Sequence, residues 1–384
     1  MGPLQGLTII EISGIGPGPF AAMLLADMGA DVIRVERPGG TMFTAAQNPK
    51  LDFLNRNKRC ISVNLKERDG VDTVLTLLEK ADALLEGNRP GVMERLGLSP
   101  DTCLARNPAL VYGRMTGWGQ EGPMAKEAGH DINYIALSGA LHGIGRAGEK
   151  PAIPLNLVGD FGGGGLMLAY GMVCALLETK GSGKGQVVDA AMIDGAATLM
   201  ASTFAANQAG FWSDERGTNL LDSGSHFYEV YETADGKYIS LGSIEPQFYA
   251  ALLNKLGEDA KHFENQFDMS NWPQMKAKMT DIIKRKTRDD WDQIFSDADV
   301  CYAPVLSMSE VRHHRHHQAR GTFIDDGDVW QPAPAPRFSR TSGELRSAAA
   351  SIGEHTEEVL REFGFSDEDI KKRLESGAIH RNSA

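Results

Sequence analysis

Segment 129–161, GHDINYIALSGALHGIGRAGEKPAIPLNLVGDF, sets His130 and Asp160 each directly after a glycine. An imidazole and a carboxylate facing one carbon can invert it. One base removes a proton from one face, and the conjugate acid of the other returns a proton to the opposite face. An ordinary imidazole, with a pKa of about 6.5, suits a general base near neutrality. Asp131 follows His130 and is placed in sequence to orient it. Asp160 precedes FGGGG, where a carboxylate also serves as a helix cap, as a proton carrier, or as a nucleophile that forms a mixed anhydride with an acyl group. If Asp160 carries a proton at neutral pH, burial must raise its pKa.

Other residues suit anions. Arg37 follows a strand-like run, Lys66 ends SVNLK, and Arg89 and Arg95 come from GNRPGVMER. A guanidinium donates two parallel hydrogen bonds to a phosphate, although a single arginine is more often a solvated surface charge. SGIGPGP (13–19) follows a strand-like run and precedes a helical one, and the next strand ends at Glu36. It falls short of the dinucleotide pattern Gly-x-Gly-x-x-Gly, because Pro19 stands where the third glycine belongs. Pro17 and Pro19 also remove N–H donors that a pyrophosphate would use. The glycines 162–165 read as a place where a thioester approaches the backbone closely, with N–H groups at the start of the following helix stabilising an enolate oxygen. The run HHRHH (313–317) lacks interleaved Cys or acidic ligands and reads as a polar face rather than a metal centre.

The elements that must position these residues alternate. A strand at 7–12, a helix through 30 and a strand at 31–36 make a βαβ unit. Further strand-like runs at 60–65, 83–86 and 110–115, with a helix at 69–80, predict an α/β, Rossmann-like domain with a largely parallel sheet. A helix is expected over 162–177, and the alanine-rich stretch 186–211 reads as one long helix. HFYEVYETADGKYISLGSI (226–244) alternates around Ala234-Asp235-Gly236 and reads as a hairpin. Helices of mixed polarity, a proline-rich connector at 330–340 and short helices at 354–363 and 367–374 complete the chain. The expected organisation is a large α/β domain over 1–185, a helical linker over 186–224, a smaller α+β domain over 225–329, and a connector and C-terminal return over 330–384.

At 384 residues, two domains are the expectation. The hydrophobic fraction of 42% is ordinary for a globular chain. A net charge of −12 argues against nucleic-acid or anionic-membrane surfaces, so a phosphate-bearing ligand needs a local cluster of basic residues. Cys60, Cys103, Cys174 and Cys301 are far apart and read as reduced thiols. No leader, no run approaching the roughly 20 apolar residues of a membrane span, and no peroxisomal SKL ending are expected from the sequence, which together predict a cytoplasmic protein.

Several separate words resemble the family III CoA-transferase superfamily: SGIGPGPFAAMLLADMGADVIRVERPGG (13–40), EGNRPGVMERLGL (86–98), GRMTGWGQEGP (113–123), GHDINY (129–134), LVGDFGGGG (157–165), GKGQVVDAAMIDG (183–195) and GEHTEEVL (353–360). They occur in the family's order over nearly the whole chain. Within it the chain is similar to the α-methylacyl-CoA racemase family. The resemblance implies racemisation of 2-methylacyl-CoA thioesters at the α-carbon, with His130 and Asp160 as opposing acid and base. The alternative is a CoA-transferase with Asp160 as nucleophile, which does not require His130. The resemblance places CoA against Arg37, Val63, Asn64, Leu65 and Lys66, against Gly87, Asn88, Arg89 and Arg95, and against Gly129, His130, Asp131, Ile132, Asn133 and Tyr134. Asn88 departs from the aromatic residue usual there. Glu245 is implied to sit near the catalytic histidine and tune its proton, and Asn156 and Tyr228 to lie near the catalytic carboxylate. An acyl-CoA substrate, no cofactor beyond it, no metal, and an interlocked homodimer whose C-terminal tail packs back on the large domain complete the implication.

Overall fold

The computed structural model describes residues 2–40, 48–263, 265–325 and 327–382. The chain forms two compact units. One comprises Met1–Ser138, Leu155–Leu199 and Gly321–Ala384, and the other Gly139–Pro154 and Met200–Arg320. The chain therefore leaves the first unit at 139 and re-enters it at 155, inside the stretch expected to be one continuous large domain. Its boundary is set by packing, because 155–199 buries its glycines and small residues against first-unit helices.

The first unit is built on a parallel sheet of β1 (Thr8–Ile12), β2 (Asp31–Glu36), β3 (Lys58–Val63), β4 (Ala83–Glu86), β5 (Val111–Thr116) and β6 (Val187–Ala191). Their order is β3-β2-β1-β4-β5-β6, and Ile379–His380 of the C-terminal tail adds an antiparallel edge beside β3. The central strands are largely apolar because both faces are covered, with buried charges at Glu11, Arg34 and Glu86. Ile10, Ile33 and Ile61 pack on one face with Val74 and Leu78 of the helix Arg68–Leu78 and with Val359 and Leu360 of the tail. Ile9, Val32 and Val111 pack on the other with Ala22 and Leu25 of the helix Pro17–Asp27 and with Leu168 and Met172 of the helix Met167–Ser182. The chain runs outward from β1 through β2 to β3, then resumes on the opposite side of β1 at β4. The loops after β1 and β4 leave in opposite senses, and such a switch point opens a crevice at the carboxyl ends of the strands.

Two sequence expectations fail in the stretch from 157 to 208. Residues 186–211 are not one helix and not a linker. VVDAA pairs with β5 from Tyr112↔Val187 to Thr116↔Ala191, so β6 is an integral edge of the sheet, followed by the helices Met192–Leu199 and Ala201–Gln208. Partnership with β5 overrides the alanine content of this segment. The helix expected from 162 begins earlier, as a π-helical stretch Leu157–Leu166 that continues into Met167–Ser182. Asp160 therefore lies inside a helical turn, and Asn156 occupies the N-cap position.

The glycines of that turn face protein. A Cβ on Gly163 would lie 2.6 Å from the Ala196 nitrogen, and one on Gly165 would lie 2.6 Å from the Pro17 oxygen. On the facing helix, a Cβ on Gly195 would lie 1.8 Å from the Gly163 oxygen. These glycines serve helix-to-helix contact, not the close approach of a thioester. The stretch Leu157–Ser182 spans 26 residues and contains an 18-residue window with a mean hydropathy of 1.4, long and apolar enough to cross a bilayer by length and composition. The expectation that no run approaches that size overlooked how glycine and alanine join into one helix. Its buried face packs in the core just described, as the central helix of a globular unit does.

The second unit has a three-stranded antiparallel sheet of β7 (Tyr228–Glu232), β8 (Tyr238–Gly242) and β9 (Tyr302–Val305). The hairpin turns at Gly236, whose φ of 72° favours glycine. Phe227, Tyr231 and Ile239 pack against Leu252, Trp272, Met279, Trp291 and Phe295 from its helices.

Candidate active site

The crevice at the switch point of the first unit holds a cavity of about 430 Å³. Ile15, Gly16 and Pro17 reach it from the loop after β1, and Gly87, Asn88, Arg89 and Pro90 from the loop after β4. Met115, Thr116, Gly117 and Trp118 come from the end of β5, and Ala125, Glu127, Gly129, His130 and Tyr134 from the following segment. Asn156, Asp160 and Met192 close it. The imidazole and the carboxylate singled out by their glycine-flanked settings thus share one cavity.

Buried acids brace the loops. Glu36 accepts hydrogen bonds from Ser13 Oγ at 3.0 Å and from the Arg37 amide at 3.1 Å, and faces Arg34 at 3.5 Å. It is fully buried, so it is not displayed to a ribose, a second argument against a dinucleotide site. Glu86 accepts from the Asn88 amide at 2.6 Å and from Arg114 Nε at 3.1 Å, which holds the turn carrying Arg89. Burial pushes the Glu86 carboxyl up, opposed by these donors.

Gly16 adopts φ 67° and ψ −118° at the N-cap of Pro17–Asp27, with Pro17 in the first turn where its missing N–H costs nothing. A Cβ on Gly16 would lie 3.2 Å from Asp160 Oδ2. Both the backbone conformation and the space above the carboxylate therefore favour glycine. Asn156 Nδ2 donates to the same oxygen at 3.2 Å. Burial raises the pKa of Asp160 above the usual carboxylate value, and the charge of Asp131 adds to this, while the Asn156 hydrogen bond and nearby His130 oppose it.

His130 is exposed at the N-cap of Asp131–Leu137, and its backbone N–H donates to Asn133 Oδ1 at 3.1 Å. Asp131 is buried. Its Oδ2 accepts the backbone N–H groups of Gly159 and Asp160, each at 2.7 Å. Asp131 is thus directed at the backbone that carries Asp160. These two N–H groups lie in the first turn of the glycine-bearing helix, which starts at Leu157 rather than at the expected 162, and they are already engaged.

The remaining expected CoA contacts distribute unevenly. Arg37, Val63, Asn64, Leu65, Lys66 and Arg95 do not line this cavity. Arg37 Nε donates to the Gly40 carbonyl at 2.6 Å. Val63 ends β3 and is buried, Leu65 packs on the core beside it, and the Asn64 amide donates to the Ala378 carbonyl at 2.8 Å. Lys66 and Arg95 are exposed, as are Ile132 and Asn133. Glu245, the N-cap of Pro246–Leu256, and Tyr228 in β7 belong to the second unit. Among the described residues, no group of three or more His, Cys, Asp or Glu could hold a metal ion.

Sequence reasoning missed Trp118. Its ring meets Tyr134 edge-on with centroids 4.8 Å apart, and its Nε1 is buried without a partner among the described residues. Its setting in TGWGQ, an aromatic between glycines just after a strand, was the available signal.

The profile of CoA-transferase family III matches residues 4–356. Alpha-methylacyl-CoA racemase of Mus musculus is 48% identical over 96% of this chain and 95% of its own length. The Homo sapiens protein of the same name is 46% identical with the same coverage. Succinyl-CoA:glutarate CoA-transferase of Mus musculus is 29% identical, covering all of this chain and 91% of its own. Among solved structures, a CAIB/BAIF family protein from Brucella suis superposes with a TM-score of 0.82 at 27% identity, covering 94% of this chain and 99% of that one.

Proposed function

Because the chain belongs to CoA-transferase family III, we propose that it racemises 2-methylacyl-CoA thioesters at the α-carbon. The observation that carries the reading is the convergence of His130 and Asp160 on one cavity, with the carboxyl of Asp160 raised toward the protonated form. His130 takes the α-proton from one enantiomer, the electron pair passes to the thioester oxygen as an enolate, and protonated Asp160 delivers a proton to the opposite face. The reverse direction exchanges the roles. With the Gly159 and Asp160 amides engaged by Asp131, the enolate oxygen falls to the Asp131 and Ile132 N–H groups, which open the helix that His130 caps, where a helix supplies no acceptor of its own.

Arg89 serves the phosphates of CoA at the cavity, and Arg37, Lys66 and Arg95 extend that contact beyond it. Proton transfer along this route calls for no cofactor beyond the CoA of the substrate. The working form is an interlocked homodimer. The exposed side chains Leu166, Tyr170 and Leu177 on one helix support a surface that a second copy covers.

The test is NMR of (S)-2-methyldecanoyl-CoA in D2O, with and without a carboxylic acid acceptor. Collapse of the methyl doublet without acceptor is expected, and chiral analysis of the product completes it. No α-exchange, with CoA moving onto the added acid, would instead make Asp160 a nucleophile. A raised Asp160 pKa favours the proton carrier, because less of the carboxylate is ionised to attack.

A further inference from the structure

We propose that Asp131 is a positioning residue, which holds the turn bearing Asp160 in place and keeps a negative charge beside it. The inference rests on the racemase reading above for its kinetic form. The geometry has three parts. One oxygen of Asp131 takes two consecutive amides, Gly159 and Asp160, at 2.7 Å each. A Cβ on Gly159 would lie 2.6 Å from that same oxygen, so the glycine before the acid is the residue that lets the carboxylate approach. The other oxygen, Oδ1, is buried without a hydrogen-bond partner among the described residues. A buried carboxylate left partly unsatisfied is costly, and its retention calls for a role beyond local packing.

Asp131 also follows His130 directly, at the first position of the helix that His130 caps. The contact therefore ties the two proton-transfer groups into one block: the helix that starts at the base grips the backbone of the acid. Around Asp160, that helix presents His130, Asp131 and Tyr134, and the acid's own turn presents Asn156. From Pro17–Asp27 and its preceding loop, Gly16, Pro17 and Phe20 approach the glycine turn, and none carries a charge. On Met192–Leu199 the acid Asp194 acts on Asp189 instead. Within the first unit, Asp131 is thus the neighbouring anion that opposes ionisation of Asp160, adding to burial.

Two variants separate position from charge. Asp131→Asn keeps an oxygen that can accept both amides and removes the charge. Asp131→Ala removes both. The readout is the pH profile of kcat/KM for α-proton exchange in D2O from the enantiomer that Asp160, as the base, deprotonates. In Asp131→Asn the Asp160 carboxyl loses a contribution that raises its pKa, so the acid limb moves to lower pH while exchange persists. Asp131→Ala is expected to lose about 100-fold in exchange rate across the profile, the cost of a misplaced catalytic group. An acid limb unchanged in Asp131→Asn, or near wild-type exchange in Asp131→Ala, would overturn the proposal.

A second measurement does not depend on turnover. Protein labelled with [4-13C]aspartate, with Asp160 assigned by comparison with Asp160→Asn, is titrated by 13C NMR. The Asp160 midpoint should fall in Asp131→Asn. If the wild-type protein shows no α-exchange, the racemase reading fails, and this titration still decides the role of Asp131. An unmoved midpoint would reject it whatever the reaction.

Discussion

The two sides of the cavity are built differently. On the imidazole side, His130 is exposed at the start of the seven-residue helix Asp131–Leu137, next to exposed Ile132 and Asn133. On the carboxylate side, Asp160 is half-buried in a π-helical turn whose glycines touch the backbones of two other helices. One base has access to solvent and the other has a rigid, poorly solvated floor. Two unlike bases need such unlike surroundings if one is to be protonated while the other is not. A single buried side chain, Asp131, joins the two sides.

The largest test of this contrast removes each base. His130→Ala and Asp160→Ala are each expected to cut racemisation about 10³-fold, measured by chiral analysis of the product. Under the two-base scheme, Asp160→Ala retains α-exchange from the enantiomer served by His130. Equal loss of exchange from both enantiomers would erase the distinction between the sides. Next, Gly195→Ala puts a methyl into the Gly163 carbonyl. It is expected to cost about 1–3 kcal/mol of stability, read as a lower denaturation midpoint, because overpacked cores yield by strain. The same substitution at exposed Ala136 in the other direction, Ala136→Gly, should cost at most about 1 kcal/mol, as glycine in a helix does.

Smaller effects sharpen the acid side. Gly16→Ala strains a left-handed backbone and crowds Asp160 Oδ2, so an activity loss of about tenfold is expected, from about 1–2 kcal/mol of strain. Asn156→Leu removes a hydrogen bond that favours the ionised carboxylate. The Asp160 pKa then rises, and the acid limb of the kcat/KM profile for the enantiomer that Asp160 deprotonates moves to higher pH. This is opposite in sign to Asp131→Asn. Movement of the acid limb in the same direction in both variants would contradict the assignment of these two neighbours.

Much of this arrangement was legible in the sequence. The strands β1, β2 and β4 were, because strands covered on both faces are mostly apolar and are bounded by turn residues. His130 and Asp160 were, because glycines flank functional side chains where backbones come close. β6 was not. Its VVDAA carries no alternation that distinguishes a strand from a helix, and its identity comes from pairing with a strand more than seventy residues earlier. The orientation of Asp131 was also hidden. Adjacency to His130 suggested one partner, while its hydrogen bonds go to amides 28 and 29 residues away. The role of the glycine run was misjudged for the same reason: glycine permits close approach, but composition does not say what approaches.

That glycine contact divides the helices that carry the two bases into ground open and closed to engineering. Between Gly163 and Gly195 the backbones already meet, so no side chain larger than hydrogen fits either position without moving a helix. A library aimed at new acyl chains would find few survivors there, whatever the substrate. Exposed Ile132 and Leu137, on the helix that His130 caps, have no such restriction. Changes in substrate range, in the laboratory or through divergence, are therefore expected to accumulate on the imidazole side while the carboxylate side stays as it is.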